Sequence, residues 1–252
     1  MRRTSIPSEA EVLIQKLPCD MGIHRTSRKG TLNAPSNLLE DGEIESQVHV
    51  SEVFPDEFDL EETHRRIQRH TKRMLEYNAP LLSVGGDHSV SYPVLKEVKR
   101  HQPNLSLVWL DSHLDAKQPV DGHTSHDVVV RKLVEESVFD PEEIFCVGTT
   151  QVDEDEEDLG SQLGVFGREG ISEVADVASG PVYVSFDIDA VDISGTGYPD
   201  GELSVDECRR LVKDLDVRHA DLVEAAPPLG RDVVVAGRKA LNLLSKGLAE
   251  SY

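Results

Sequence analysis

At 252 residues the chain is long enough for one large α/β domain built around a fully buried sheet. Hydrophobic residues make up 38% and charged residues 29%, and no apolar run approaches the roughly 20 residues that cross a bilayer, so a membrane-spanning protein is excluded. A net charge of −21 repels phosphate backbones and anionic lipid, which removes nucleic acid and membrane surfaces as partners and favours a small cation.

Most of this acidity reads as a solvated surface. Asp and Glu outnumber Lys and Arg, and Lys is scarcer than Arg, the balance of a protein built for high salt, where screening relieves self-repulsion. Met1-Arg2-Arg3 is basic but lacks the apolar core of a secretory signal, and Cys19, Cys146 and Cys208 share no metal-type spacing, so a reducing cytoplasm is the expected location.

In chain order, short Val/Ile/Leu-rich runs alternate with helical patterns, the signature of a parallel α/β sheet. Strands are predicted over Val12–Leu17, Leu81–Val84, Leu105–Leu110, Ile144–Gly148, a weaker Val165–Phe166, Val182–Phe186 and Asp221–Ala225. Between and after them the spacing predicts helices over Glu61–Asn78, Val90–His101, Thr124–Glu136, Val205–Leu215 and Arg231–Glu250; Ser204 followed by Glu207 opens the fourth as a capping box. The acidic stretch Asp153–Asp158 could pass for a linker, but a strand precedes it and more sheet follows, so residues 1–252 read as one domain.

Functional residues of a parallel sheet gather beyond the carboxyl ends of its strands. Three predicted strands end in polar clusters: Gly85-Gly86-Asp87-His88-Ser89, Asp111-Ser112-His113-Leu114-Asp115 and Asp187-Ile188-Asp189-Ala190-Val191-Asp192. Side chains of an extended chain alternate faces, so Asp111, His113 and Asp115 can project together, and so can Asp187 and Asp189. With His88 they make six convergent ligands. Taken singly, an Asp-x-Asp at a strand end is a turn or helix cap, and Gly-Gly-Asp-His a tight turn. Together they collect four carboxylates that would repel one another unless cations sat among them, a number suited to two divalent metals. The thiolate-free, oxygen-rich set favours manganese over zinc and leaves Co²⁺ and Ni²⁺ open.

These segments resemble the signatures of the ureohydrolase family, which includes arginases, agmatinases and formiminoglutamases. The Gly-Gly-Asp-His-Ser block matches, Asp111–Asp115 is similar to Asp-Ala-His-x-Asp, and Ser185–Asp192 to Ser-x-Asp-x-Asp-x-x-Asp. The resemblance runs in order from about Leu81 to the C-terminus, with a weaker trace at Arg28–Leu39. It implies a single three-layer α/β/α domain with a mostly parallel sheet of about eight strands. It assigns one metal to His88, Asp111, Asp115 and Asp187, and the other to Asp111, His113, Asp187 and Asp189. It implies cleavage of a C–N bond of a linear guanidino or amidino substrate by a metal-bridging hydroxide, releasing urea and an amine, in a homotrimer or homohexamer.

Carried over residue by residue, the resemblance gives Asp115 the proton delivered to the leaving amine, Glu224 the grip on the guanidinium, His126 a proton-shuttle role and Asp153 a contact to the substrate's amino group. Asp127 stands where the family has Gly, Thr150 where it has Arg, and the loop after Asp192 is about three residues shorter. Lys117 and His123 could meet a substrate carboxylate, which would favour arginine, guanidinobutyrate or formiminoglutamate; Asp121, Asp127 and Asp153 favour a cation such as agmatine. A one-zinc deacetylase-like relative and a non-catalytic relative are the alternatives, and the intact six-ligand set speaks against both.

Overall fold

The computed structural model describes residues 1–23, 30–40, 44–193 and 201–251. The first two residues of the Arg28–Leu39 stretch and most of the shortened loop after Asp192 lie outside the described residues.

Nine strands, β1 (Arg2–Arg3), β2 (Val12–Leu17), β3 (Gln47–Glu52), β4 (Leu81–Gly85), β5 (Ser106–Leu110), β6 (Ile144–Val147), β7 (Gly164–Phe166), β8 (Pro181–Asp187) and β9 (Asp216–Val223), form one sheet in the order β1-β3-β2-β4-β9-β8-β5-β6-β7. All pairings are parallel. Helices cover both faces, as a parallel sheet requires. The helices α1 (Ala34–Glu40), α6 (Val174–Val177), α7 (Val205–Asp214) and α8 (Arg231–Glu250) bury apolar residues on one face. On the other, α2 (Leu60–Leu75), α3 (Ser91–His101), α4 (Val129–Glu135) and the short α5 (Glu157–Gly160) do the same. The arrangement is therefore the three-layer α/β/α one that the family resemblance implies.

Local chemistry explains the clearest helices. α2 begins at Asp59, whose carboxylate accepts from the Glu62 N–H at 2.8 Å, carries Glu61 and Glu62 in its first turn and Lys72 and Arg73 in its last, and buries Leu60, Ile67, Thr71 and Met74 at helical spacing. The Ser204–Glu207 capping box of α7 forms as expected.

Some boundaries differ from the sequence expectation. β9 begins at Asp216 and ends at Val223, so the expected Asp221–Ala225 strand lies too far along; Asp216, Arg218 and His219 mask its start as a polar segment. The expected Thr124–Glu136 helix is a 3-10 turn over His126–Val128 followed by α4 alone, because the β-branched run Val128–Val130 is a poor helix start. β1, β3 and α1 were not expected: β1 has two residues, β3 mixes polar and apolar positions at the sheet edge, and α1 is seven residues with an early proline.

Candidate metal centre

The sheet order sets the site. β9, the last strand of the chain, inserts between β4 and β8, so the four central strands β4, β9, β8 and β5 bring His88, Glu224, Asp187 and Asp111 to one end of the sheet. Only glycine fits at position 86, where a Cβ would lie 1.7 Å from the Cys19 carbonyl oxygen. The chain then turns through Asp87, whose carboxylate accepts from the Gly22 and Ser89 N–H groups at 2.9 Å, into a 3-10 turn that starts on His88.

The expected ligands converge, though not all by strand alternation. Asp187 is the last residue of β8, while Asp189 belongs to the 3-10 turn Ile188–Ala190 and donates its N–H to Asp187 Oδ1 at 2.8 Å. Beyond β5, the Asp111 carboxylate accepts from the His113 N–H at 2.7 Å, and Asp115 reaches the cluster through a left-handed backbone, φ 51°. Glu224 is likewise left-handed, φ 60°. Both conformations carry backbone strain that the surrounding structure must hold in place.

His88 is fully buried and stacks on Trp109 with ring centroids 3.9 Å apart and planes 5° from parallel. Its Nδ1 stands 3.1 Å from Asp111, 3.0 Å from Asp115 and 3.3 Å from Asp187. Despite those distances it is aligned for a hydrogen bond with none of them, and Asp111 Oδ2 likewise has no hydrogen-bond partner. On the open side, His113 Nδ1 stands 3.4 Å from Asp111 and 3.2 Å from Asp189. Two sets of donor atoms result, His88/Asp111/Asp187 and Asp111/His113/Asp189, each lying within 4.8 Å of one another and sharing Asp111. Asp187 joins the first set; Asp115 reaches it through His88.

The electrostatics are those of a site short of positive charge. Burial and the neighbouring Asp111 charge raise Asp115 to about 7; burial, Asp189 and Asp111 push Asp187 well up. Burial pulls His113 down, but Asp111 and Asp189 outweigh it and hold the imidazole up at about 12. Asp115, Asp187 and His113 are thus biased toward their protonated forms, and a metal ion would displace those protons. The unpartnered His88 and Asp111 atoms in this ring fit divalent cations, since such atoms are otherwise too costly to bury.

A cavity opens above the cluster, lined by His113, Asp115, Lys117, His126, Asp127 and Glu224 among others. Glu224 accepts from the His88 backbone N–H at 2.8 Å, and His126 Nδ1 lies 3.7 Å from it. Lys117 forms an ion pair with Asp153 at the rim, so the two residues read as separate substrate contacts touch each other. His123 is exposed and does not line the cavity.

Four participants carry no role in the sequence analysis. Glu156, expected within a solvated acidic run, is buried and accepts from the Ala116 N–H at 2.8 Å and the Asp153 N–H at 3.0 Å, pinning two rim segments. Trp109 backs His88, and Ser185 and Asp221 lie behind it. The signals available were the chain's single Trp two residues before Asp111 and an Asp inside an apolar strand.

Residues 10–246 match the family model for the arginase family. A guanidinobutyrase of Pseudomonas aeruginosa is 30% identical over 201 residues, 71% of this chain and 63% of its own length. A guanidinopropionase of the same organism is 28% identical, covering 97% of this chain and 89% of its own. The solved proclavaminate amidino hydrolase of Streptomyces clavuligerus superposes with a TM-score of 0.85 at 25% identity, over all of this chain and 96% of that one. The chain belongs to the arginase family.

Proposed function

We propose that this chain is a binuclear manganese hydrolase that cleaves a C–N bond of a linear guanidino or amidino substrate. The observation that carries the reading is the pair of buried atoms His88 Nδ1 and Asp111 Oδ2, aimed into a ring of carboxylates without hydrogen-bond partners. His88, Asp111, Asp115 and Asp187 would hold one ion, and Asp111, His113, Asp187 and Asp189 the other. When bound, two such ions supply Lewis acidity and ionise water near neutral pH. The oxygen-rich donors favour Mn²⁺, with Co²⁺ and Ni²⁺ fitting the same set.

The remaining steps fall to side chains. Glu224, pushed up by burial, Asp187 and Asp87 and tied by one oxygen to the His88 N–H, would be held as an anion by cations in the cluster and would bind the guanidinium there. Asp115 accepts the proton released as water adds to that carbon, and delivers it to the leaving nitrogen, which departs as a neutral amine when the C–N bond breaks. His126 exchanges protons between cavity and solvent through its imidazole. At the rim, Lys117 occupied by Asp153, beside Asp127 and Glu156, favours a substrate tail without a carboxylate, such as that of agmatine. A guanidino acid is the second reading: it would displace Asp153 from Lys117, and relatives named guanidinobutyrase and guanidinopropionase favour it.

Assay of agmatine, arginine, guanidinobutyrate and formiminoglutamate, each with Mn²⁺ and with Ni²⁺ and scored by product, tests the proposal. Turnover of one of them with metal dependence is expected. No turnover of any, in protein shown to contain two metals per chain, would sink it.

Three properties complete the reading. A reducing cytoplasm suits Cys19, Cys146 and Cys208, all buried free thiols, and no helix among the described residues is long and apolar enough to cross a membrane. A homotrimer or homohexamer is expected from the family, and a monomer by light scattering at high salt would count against it. A saline setting would screen the charge of −21; an unchanged melting temperature between molar and millimolar KCl would remove that idea.

A further inference from the structure

A row of polar side chains crosses the buried middle of the sheet. Gln15, Ser83, Asp221 and Ser185 pair in register across β2, β4, β9 and β8, and all four are fully buried. Buried polar groups persist only when hydrogen-bonded, and here they are joined in two groups. Gln15 Nε2 donates to Ser83 Oγ at 2.8 Å. Tyr183 Oη donates to Asp221 Oδ2 and Ser185 Oγ donates to Asp221 Oδ1, both at 2.8 Å. Ser185 Oγ in turn lies 2.9 Å from His88 Nε2.

The direction of the last bond follows from counting protons. An ionised carboxylate only accepts, so Asp221 takes the single hydroxyl proton of Ser185. The Ser185 oxygen is then left with lone pairs alone toward His88, and Nε2 must carry the ring proton. Nδ1, the nitrogen facing Asp111, Asp115 and Asp187, is thereby left as the one that can give its lone pair to a cation. Burial raises the Asp221 carboxyl, and the hydroxyls that donate to it offset part of that rise.

We infer that Asp221, acting through Ser185, is a positioning residue that sets the His88 tautomer and ring orientation for one metal of the pair. Trp109, stacked on the other face of His88, blocks rotation of the ring out of that line. The relay ends at His88, a ligand of only one of the two proposed ions, so its effect falls on that ion. This inference rests on the two-metal reading of the site.

The test is Mn²⁺ binding to the full chain, measured by equilibrium dialysis against a competing chelator, with metal counted per chain and folding checked by circular dichroism. Ser185→Ala is expected to weaken one of the two ions by about 10- to 100-fold and to leave the other within about twofold. Ser185→Thr, which keeps the hydroxyl, should stay within about threefold of wild type. Asp221→Asn, whose amide turns one hydroxyl proton around, should weaken the same ion by a smaller factor, and it decides the matter if Ser185→Ala fails to fold. Two ions bound by wild type with unchanged affinity in the variants, or equal weakening of both ions, would overturn the relay and leave the metal reading standing. Wild-type protein that binds no metal would overturn that reading, and the relay with it.

Discussion

His88 and His219 sit on adjoining parts of the sheet, at opposite ends of the paired strands β4 and β9, and both are buried. Burial alone lowers a histidine, and it takes His219 to about 4, where Nδ1 accepts from the Leu81 N–H at 3.1 Å. The same burial acts on His88, yet Asp111, Asp115 and Asp187 outweigh it and hold that imidazole well above the ordinary 6.5. One end of the sheet excludes positive charge and the other demands it. The difference lies in what surrounds each ring, since the burial is nearly the same.

The strongest way to break this contrast is to remove the carboxylate shared by both donor sets. Asp111→Ala should lose both metals and reduce turnover to background, and either ion retained at wild-type affinity, by metal analysis, would refute the shared-ligand assignment. Chelation of the wild type should act on stability alone. An ion present at 100 times its dissociation constant stabilises by about 2.7 kcal/mol, so its removal should lower the melting temperature of a domain this size by roughly 5–10 °C. Identical melting curves with and without chelator would contradict the proposed cation requirement.

Glu224→Gln sharpens the contrast by separating the demand for metal from the demand for substrate. Because Glu224 belongs to neither donor set, metal content should stay unchanged while kcat/KM falls by about 30- to 5,000-fold, the effect of losing roughly 2–5 kcal/mol of a charged hydrogen-bonded pair. Loss of metal along with activity would make Glu224 a structural support of the cluster instead.

At the charge-excluding end, acidification should be the sensitive axis. His219 is lowered to about 4, chiefly by burial. The unfolded chain therefore binds protons below about pH 6.5 that the folded chain does not, so this part of the stability is complete above 6.5 and is lost as the pH falls toward 4. Urea denaturation of metal-loaded protein from pH 7 to 4 should show a shallower decline in His219→Gln than in wild type. An equal decline would show that the His219 ring does not govern this end of the sheet.

The smallest effect is expected at the rim. Lys117 and Asp153 are both partly exposed, and such ion pairs contribute about 0–1 kcal/mol, so Lys117→Ala should leave the melting temperature nearly unchanged. Its value lies in specificity: kcat/KM should fall for a carboxylate-bearing substrate and hold for agmatine. Equal loss for both would make Lys117 structural, and no loss for either would remove the rim anion site.

The chain by itself determined the class of fold, because Val/Ile/Leu runs broken by helical periodicity leave few ways to bury their apolar faces. It also singled out His88, Asp111, His113, Asp115, Asp187 and Asp189 as candidate ligands, since acidic and imidazole groups clustered after successive strands have no apolar use. Local patterning missed β3 and the start of β9, where polar residues interrupt the apolar run that marks a strand. Only the tertiary structure decided that β9 enters between β4 and β8. Strand order depends on packing across the whole sheet, which no local window contains. That insertion places Glu224 against the His88 backbone and Asp221 behind the His88 ring, although 136 residues separate His88 from Glu224 in the chain. Left-handed turns at Asp115 and Glu224 were equally beyond local reading. A non-glycine residue accepts that strain only when the surrounding structure holds it there.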